Sequence, residues 1–390
     1  NMSYILSNNN RYYVALEASY GNAAAVSAMN RIPAVKLTAK QRPEKVQRKD
    51  KTGSRTFVGN PSGLRKQTSF QLTSYMTNWA DQTTAPMHGP LFQACLGSAA
   101  MLSAGGTVAS VIDPSKVVFG AFHGLTPGQA VTSNGEMRFV SAIVDDHTVQ
   151  LNAPFTVIPA VSASIGPAAV YKPATNLASV TLFDYWSPGT SVQRILAGGA
   201  LDQLTVKING DFHEFDFSGE AQDLLDSSSF QTGQCGLSTF PTEPSVGGIN
   251  YSIIPGHLGQ VWLGNVPNRF FTLTKAQIGF QNNLELRARE FGASLPLAIS
   301  PGQRTVTLDF SLYQQDDAGT QALYQAARQT SPINVMIQLG QQQGQLFGIY
   351  MKSVIPQVPE FDDTDQRQQW QFQTCRAQGS VDDEIFVAFG

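Results

Sequence analysis

Arg304-Thr-Val-Thr-Leu-Asp-Phe-Ser-Leu-Tyr313 alternates without a break, with Val306, Leu308, Phe310 and Leu312 on one face and Thr305, Thr307, Asp309 and Ser311 on the other. A period of two marks a half-buried β-strand. Downstream, Asp316 and Asp317 with Gly319-Thr320 open a stretch in which Leu323, Ala326 and Ala327 recur at helical spacing, and Ser331-Pro332 closes it. A short helix is expected there. Ile333-Asn-Val-Met-Ile-Gln-Leu339 and Leu346-Phe-Gly-Ile-Tyr350, separated by Gly340, a Gln-rich turn and Gly344, predict a hairpin. Residues 367–375 alternate again through Gln369, Trp370, Gln371 and Phe372. The unit reads β, β, α, β, β, β.

The same unit recurs nearer the N-terminus. Val35-Lys-Leu-Thr38 matches Phe271-Thr-Leu-Thr274, and Ser69-Phe-Gln-Leu-Thr-Ser-Tyr75 lies over Thr307-Leu-Asp-Phe-Ser-Leu-Tyr313 at an offset of 238. Leu91-Phe-Gln-Ala-Cys95 lies over Leu323-Tyr-Gln-Ala-Ala327 at an offset of 232, and Phe215-Asp-Phe217 answers Trp370-Gln-Phe372. Matching Leu182-Phe-Asp-Tyr185 to Phe347-Gly-Ile-Tyr350 leaves about 67 extra residues in the first copy, near 101–170. Short strands punctuated by turns, around 124–131, 139–144 and 148–151, make that insertion a small β-barrel or sandwich on an exposed loop. The expected fold class is therefore α+β, mainly β. Two tandem half-barrel or sandwich domains, each with a flanking helix, carry a small inserted β-domain. The boundaries read as an N-terminal arm at 1–30 ending in a weakly patterned helix at 20–29, a first unit at 31–225 interrupted by 101–170, a linker at 226–267 pinned by Tyr251, Ile253 and Ile254, and a second unit at 268–390.

Composition limits the function. The 390 residues carry 26 basic and 29 acidic side chains, a formal charge of -3, which excludes binding to nucleic acid by bulk phosphate neutralisation. Only 14% of residues are charged, against about 25% in typical soluble domains, and charges are depleted where surfaces meet partners. An assembly subunit is implied. No run approaches 18 apolar residues and residues 1–12 lack a signal-peptide layout, so a soluble chain without a membrane anchor is expected. Cys95, Cys235 and Cys375 are too few and too scattered for a metal or disulfide framework, and read as free thiols in a reducing cytoplasm. His88, His123, His147, His213 and His257 form no HExxH or HxH pattern, and no GxSxG, GxxxxGK[ST] or GxGxxG occurs. No cofactor and no catalytic residue is assigned.

Charge is distributed unevenly. Between Arg31 and Lys66 lie 11 of the 26 basic residues, including Lys45, Arg48, Lys49, Lys51 and Arg55, against only Glu44 and Asp50. Phe57 alone offers a ring for base stacking, and Gly53, Gly59-Asn-Pro61 and Gly63 read as a long loop between two strands. Glu360, Asp362, Asp363 and Asp365, followed by Asp382, Asp383 and Glu384, make an acidic pole. Such a cluster could supply paired carboxylates for glycoside hydrolysis or a calcium loop, but no EF-hand turn glycine or closing Glu is present, and a solvated or subunit-facing acidic loop is the favoured reading. A basic arm and an acidic face suit head-to-tail contacts, which join two different patches and propagate without closing. The expectation is that the 45–66 arm docks on the 360–384 surface of a neighbour.

Tyr12-Tyr-Val-Ala-Leu-Glu-Ala-Ser-Tyr-Gly21, Lys51-Thr-Gly-Ser-Arg55 running into Ser62-Gly-Leu-Arg-Lys-Gln-Thr-Ser-Phe70, and Asp383-Glu-Ile-Phe-Val-Ala-Phe-Gly390 resemble phage tail tube proteins. So does the order of elements, with a long loop between the first two strands, over nearly the whole chain except 101–170. The resemblance implies tube domains whose inner sheets join into one barrel, with rings stacked into a conduit for the tape-measure protein and then DNA. Two domains in one chain imply a homotrimer with pseudo-sixfold symmetry. It further implies a virion tail assembled in the host cytoplasm, with a tail terminator and distal tail or baseplate proteins as partners. A lumen that lets DNA slide should be polar and poor in Lys and Arg, since each cation there would make phosphate contacts. Ser69, Gln71, Thr73, Thr305, Thr307, Asp309, Ser311, Gln369 and Gln371 are the candidates, with strand parity leaving either face open. The alternatives are a baseplate hub or distal tail protein, a host-surface binding module acting through the insertion, and last a hydrolase using Glu360 and Asp363.

Overall fold

The computed structural model describes residues 6–44, 49–59, 61, 63–186, 192–245, 251–364 and 366–390. The chain is mainly β, with a half-barrel sheet, a second nearly closed barrel sheet and, among the described residues, two α-helices. Thr305–Tyr313 follows its alternation: Val306, Leu308, Phe310 and Leu312 are buried. Antiparallel neighbours flank it, Leu273–Gln281 on one side and Gln369–Ala377 on the other. In the first half Lys66–Tyr75 likewise lies between Ala34–Pro43 and Glu214–Ala221.

One long strand, Arg194–Ile208, joins the two triplets. Its residues 200–207 pair with Glu214–Ala221, and its residues 203–208 pair with 276–281. The result is one antiparallel sheet in the order 34–43, 66–75, 214–221, 200–208, 273–281, 305–313, 369–377, with Glu360–Asp362 beyond the last. Before residue 200 the long strand belongs to a second layer, where it pairs with Val180–Trp186 and Asp223–Asp226. The change of layer falls at Gly198-Gly199. Gly198 has φ +66°, and a Cβ on it would sit 2.5 Å from Gln222 Cβ, so only glycine fits. Phe347–Ile355 makes the same crossing in the second half. Its residues 347–354 pair with Ile333–Leu339, its start, 347–350, also pairs with Phe386–Phe389, and its end, 354–355, pairs with 376–377.

These second layers cover the apolar face of the long sheet, together with the helices Gly89–Leu96 and Ala318–Arg328. Asp317 caps the latter by accepting from the Thr320 amide at 2.8 Å. A single core runs through both halves, with Leu72, Phe92, Phe215, Phe217, Phe310, Phe347, Phe372 and Phe389 among its members. Phe92 meets Phe215 and Phe217 edge-on at 5.2 and 5.5 Å. Full burial of such a ring contributes about 1.5–3 kcal/mol, which makes this packing the main reason the layers stay together.

The pairings reveal a fuller internal repeat than local patterns suggest. Asn10–Leu16 runs along Val180–Trp186, and Gly259–Leu263 runs along Ile333–Leu339 in the same way. The chain from residue 10 is thus a sheet strand where an arm was expected, and residues 20–27 form turns and irregular backbone where a helix was expected. Part of the expected linker likewise belongs to the second unit's sheet. The Leu182–Tyr185 segment also corrects its match: its counterpart is Ile333–Leu339, while Phe347–Ile355 answers Arg194–Ile208.

The insertion leaves through a stem, Met101–Ser103 paired with Ala168–Tyr171. The latter strand also pairs with Phe386–Phe389, so an insertion in the first unit's sequence is seated on the second unit. Six strands follow the order 164–165, 106–110, 116–119, 148–151, 136–143, 130–133, and a Thr132–Gly166 bridge brings the last back to the first. Val108, Phe119, Val140, Val149 and Ile165 fill the centre. At the seam Arg138 is fully buried, its guanidinium 4.9 Å from the Trp262 ring and 5.3 Å from the Phe155 ring, and 3.1 Å from Glu136. The Gln338 side chain accepts from the Met137 amide at 2.8 Å and donates to the Gly135 carbonyl at 3.0 Å.

Candidate functional site

The face of the eight-stranded sheet turned away from the core is polar because each of its strands alternates. Cross-strand register arranges its side chains in rows. One row runs Thr73, Asp216, Thr205, Gly279, Thr307, Arg376, and the next runs Thr38, Gln71, Ser218, Gln203, Gln281, Thr305. Hollows of about 450 and 340 Å³ lie on this face, the first lined by Lys207, Lys275, Gln277, Asp309 and Gln371, the second by Gln71, Gln203, Thr205, Asp216 and Ser218.

All nine candidate lumen residues lie on this one face by register. Ser311 is covered, at 3% exposure, whereas Ser69 and Gln71 are open. The expectation of a surface poor in Lys and Arg does not match. Lys36, Lys40, Arg42, Lys207, Lys275 and Arg376 share the face with Glu214, Asp216, Glu220 and Asp309. Some of this charge is compensated locally: Lys207 Nζ lies 3.4 Å from Asp216, which also accepts from Thr73 Oγ1 at 2.6 Å. Mixed charge in rows of amides and hydroxyls can meet a polyanion or a polar protein without one tight site. Gln203, Thr205 and Lys207 join this face beyond the candidates named from the sequence, and their alternation with Leu204 and Val206 is the signal that marks them.

The charged clusters separate by end. Both long loops, 44–65 and 282–304, leave the same end of the sheet and touch through Arg65 to the Glu290 carbonyl at 3.4 Å and Arg289 to Glu44 at 3.9 Å. Lys49, Lys51 and Arg55 are exposed on the first of them. Lys45, Arg48 and Asp365 lie outside the described residues. The expected single acidic surface is split in two. Asp382 and Glu384 bond Arg304 at the loop end, with Glu384 at 3.2 Å, and Asp383 bonds Lys352. These carboxylates are already paired within the chain. Glu360, Asp362 and Asp363 sit at the other end, beside Tyr313, about 27 Å away along the strand. Asp211, Glu214 and Asp316 lie at that end too.

Both edges of the eight-stranded sheet stay open among the described residues. Ala34–Pro43 pairs only with Lys66–Tyr75, and Glu360–Asp362 only with Gln369–Ala377. Unpaired backbone donors and acceptors on an edge are a template for another strand. Among the described residues no group of three or more His, Cys, Asp or Glu is placed to hold a metal, and no helix is long and apolar enough to cross a membrane. Glu360 and Asp363, the hydrolase candidates, are both exposed on the open edge and do not line the hollows above. No known family model and no curated protein matches the chain.

Proposed function

We propose that the protein is a structural subunit of a phage tail tube, its half-barrel closing into a ring with sister copies and its rings stacking into a conduit. The observation that carries this reading is the continuous sheet built of two equivalent halves, polar on its hollowed face and open at both edges. The 203–208 to 276–281 junction inside the chain is already a unit-to-unit contact, and a third and fourth unit can be added by repeating it. Eight strands from each of three copies give twenty-four. At about 4.8 Å spacing and about 40° tilt they enclose a barrel about 50 Å across, which leaves a wide bore after side chains are counted. The tape-measure protein and then DNA would pass through it, with a tail terminator and distal tail or baseplate proteins at the ends.

A baseplate hub or distal tail protein with the same ring is the alternative within the fold. The insertion favours a surface role of some kind, since residues 101–171 carry only Asp113, Lys116, Glu136, Arg138, Asp145 and Asp146 as charges and expose Ile112, Phe122 and Val157. Solution mass and negative-stain micrographs of the purified protein test the proposal. Three-copy rings and long tubes support it, isolated rings favour the hub, and a stable monomer at high concentration overturns both.

A further inference from the structure

The junction between the two units fixes how one copy meets the next, because the open edges are the structural equivalents of the two strands that pair inside the chain. Leu72 and Phe310 occupy equivalent places: Leu72 lies between Leu37 and Phe217, and Phe310 between Ala276 and Phe372. Leu37 therefore corresponds to Ala276, Thr38 to Gln277 and Lys40 to Gly279. On the other side, Leu204 pairs with Phe217 and Thr205 with Asp216, while Glu360 pairs with Gln371, one position from Phe372. Thr205 corresponds to Glu360, Val206 to Phe361 and Lys207 to Asp362. Inside the chain Thr205 faces Gly279, Val206 faces Ile278 and Lys207 faces Gln277.

We infer that Ala34–Pro43 of one copy pairs antiparallel with Glu360–Asp362 of a second copy, in the register that sets Lys40 opposite Glu360, Ala39 opposite Phe361 and Thr38 opposite Asp362. This rests on the ring reading above and supplies its contact. Two observations on the edges support it independently of the repeat. Lys36, Lys40 and Arg42 project from one polar edge and Glu360 and Asp362 from the other, and the three cations make no ion pair among the described residues. Opposite charges facing each other across strands are stabilising and like charges are not, so the edges reject their own kind and accept each other. Phe361 is 56% exposed beside the Trp370 and Tyr324 rings, whereas Val206 in the equivalent place is 2% exposed under the neighbouring unit. A second copy would cover it.

Cysteine pairing reads the register, since directly opposed residues come within disulfide reach. Lys40→Cys and Glu360→Cys in one chain should give covalent dimers and trimers on a non-reducing gel, with neither single variant doing so. Lys40→Glu or Glu360→Lys alone should weaken the contact about tenfold at low salt, and the two together should restore it. Rings that form but cross-link through Thr38→Cys with Glu360→Cys instead would overturn this register and leave the ring reading intact. A chain that never oligomerises would remove the ring reading and the register together.

Discussion

His88 sits just before the first helix, fully buried, with its Nε2 3.0 Å from Ser74 Oγ and its ring 5.3 Å from that of Phe215. Burial pushes its pKa from the ordinary 6.5 down to about 4, while a bond to the Tyr75 backbone opposes the shift. The unfolded chain therefore takes up a proton near pH 6.5 that the folded chain refuses until about 4. Above pH 6.5 both states are neutral there and nothing is lost. As pH falls from 6.5 to 4, stability should drop by about 3 kcal/mol from this residue, and His213, shifted down by burial as well, adds in the same direction. Urea titrations at pH 7.5 and 4.5 check the point: His88→Gln should show a smaller difference between the two than the parent chain. An equal difference would mean that the acid sensitivity lies elsewhere.

The small barrel shows how an element can belong to one unit by sequence and to another by packing. Met137, Phe139, Ala168 and Val170 from the insertion share a core with Trp262, Met336, Tyr350 and Phe386 from the second unit. Replacing residues 104–166 by a short Gly-Ser loop keeps the stem but uncovers those four side chains and removes the bonds made to Gln338. The expected result is a chain that is less stable by several kcal/mol, about what four half-uncovered apolar side chains imply. Amide exchange should rise in 333–339 and 347–350, with 34–43 and 66–75 little changed. Faster exchange confined to the first unit would contradict the seating. This seating was not legible in the sequence, for a physical reason. Alternation reports which face of a strand is buried, and so Thr305–Tyr313, its neighbours and the capped helix could be read locally. It does not report which distant strand supplies the next edge. Leu182-Phe-Asp-Tyr185 and Phe347-Gly-Ile-Tyr350 look alike residue by residue yet pair in different places, and Asn10–Leu16 is short and flanked by polar residues, so nothing local marks it as a sheet strand. The polar face was legible as a set of residues, and alternation marks even Lys207 as facing away from the core; that Lys207 and Lys275 share one face with the candidate residues was not legible, because it follows only once Arg194–Ile208 and Leu273–Gln281 are placed side by side.

Over the whole molecule, charge is arranged along the axis that runs parallel to the long strands. The loop end carries exposed Lys49, Lys51 and Arg55, and its acidic residues Asp382, Asp383 and Glu384 are engaged by Arg304 and Lys352. The far end carries Asp211, Glu214, Asp316 and Asp363, of which Asp211, Asp316 and Asp363 are exposed. In the proposed ring this would make one rim basic and the other acidic, and identical rings would then stack head to tail, a contact that never closes on itself. The proposed edge pairing within a ring and the proposed rim pairing between rings would use different residues, so they can be broken one at a time. Replacing Lys49, Lys51 and Arg55 with Glu should leave the solution mass of the ring unchanged, because none of the three lies on the 34–43 or 360–362 edge strand. Tubes should shorten or vanish in micrographs, and the salt concentration that disperses the remainder should fall, since rim contacts between exposed charges are screened beyond about 8 Å at physiological ionic strength. The Lys40→Glu variant should instead lower the yield of rings and of tubes together, by weakening the edge contact about tenfold at low salt. Unchanged tube length and salt tolerance after the triple reversal would show that stacking does not depend on the basic loop, and would move the search for the axial contact to the neighbouring 282–304 loop, whose exposed Phe291 and Leu297 offer an apolar one.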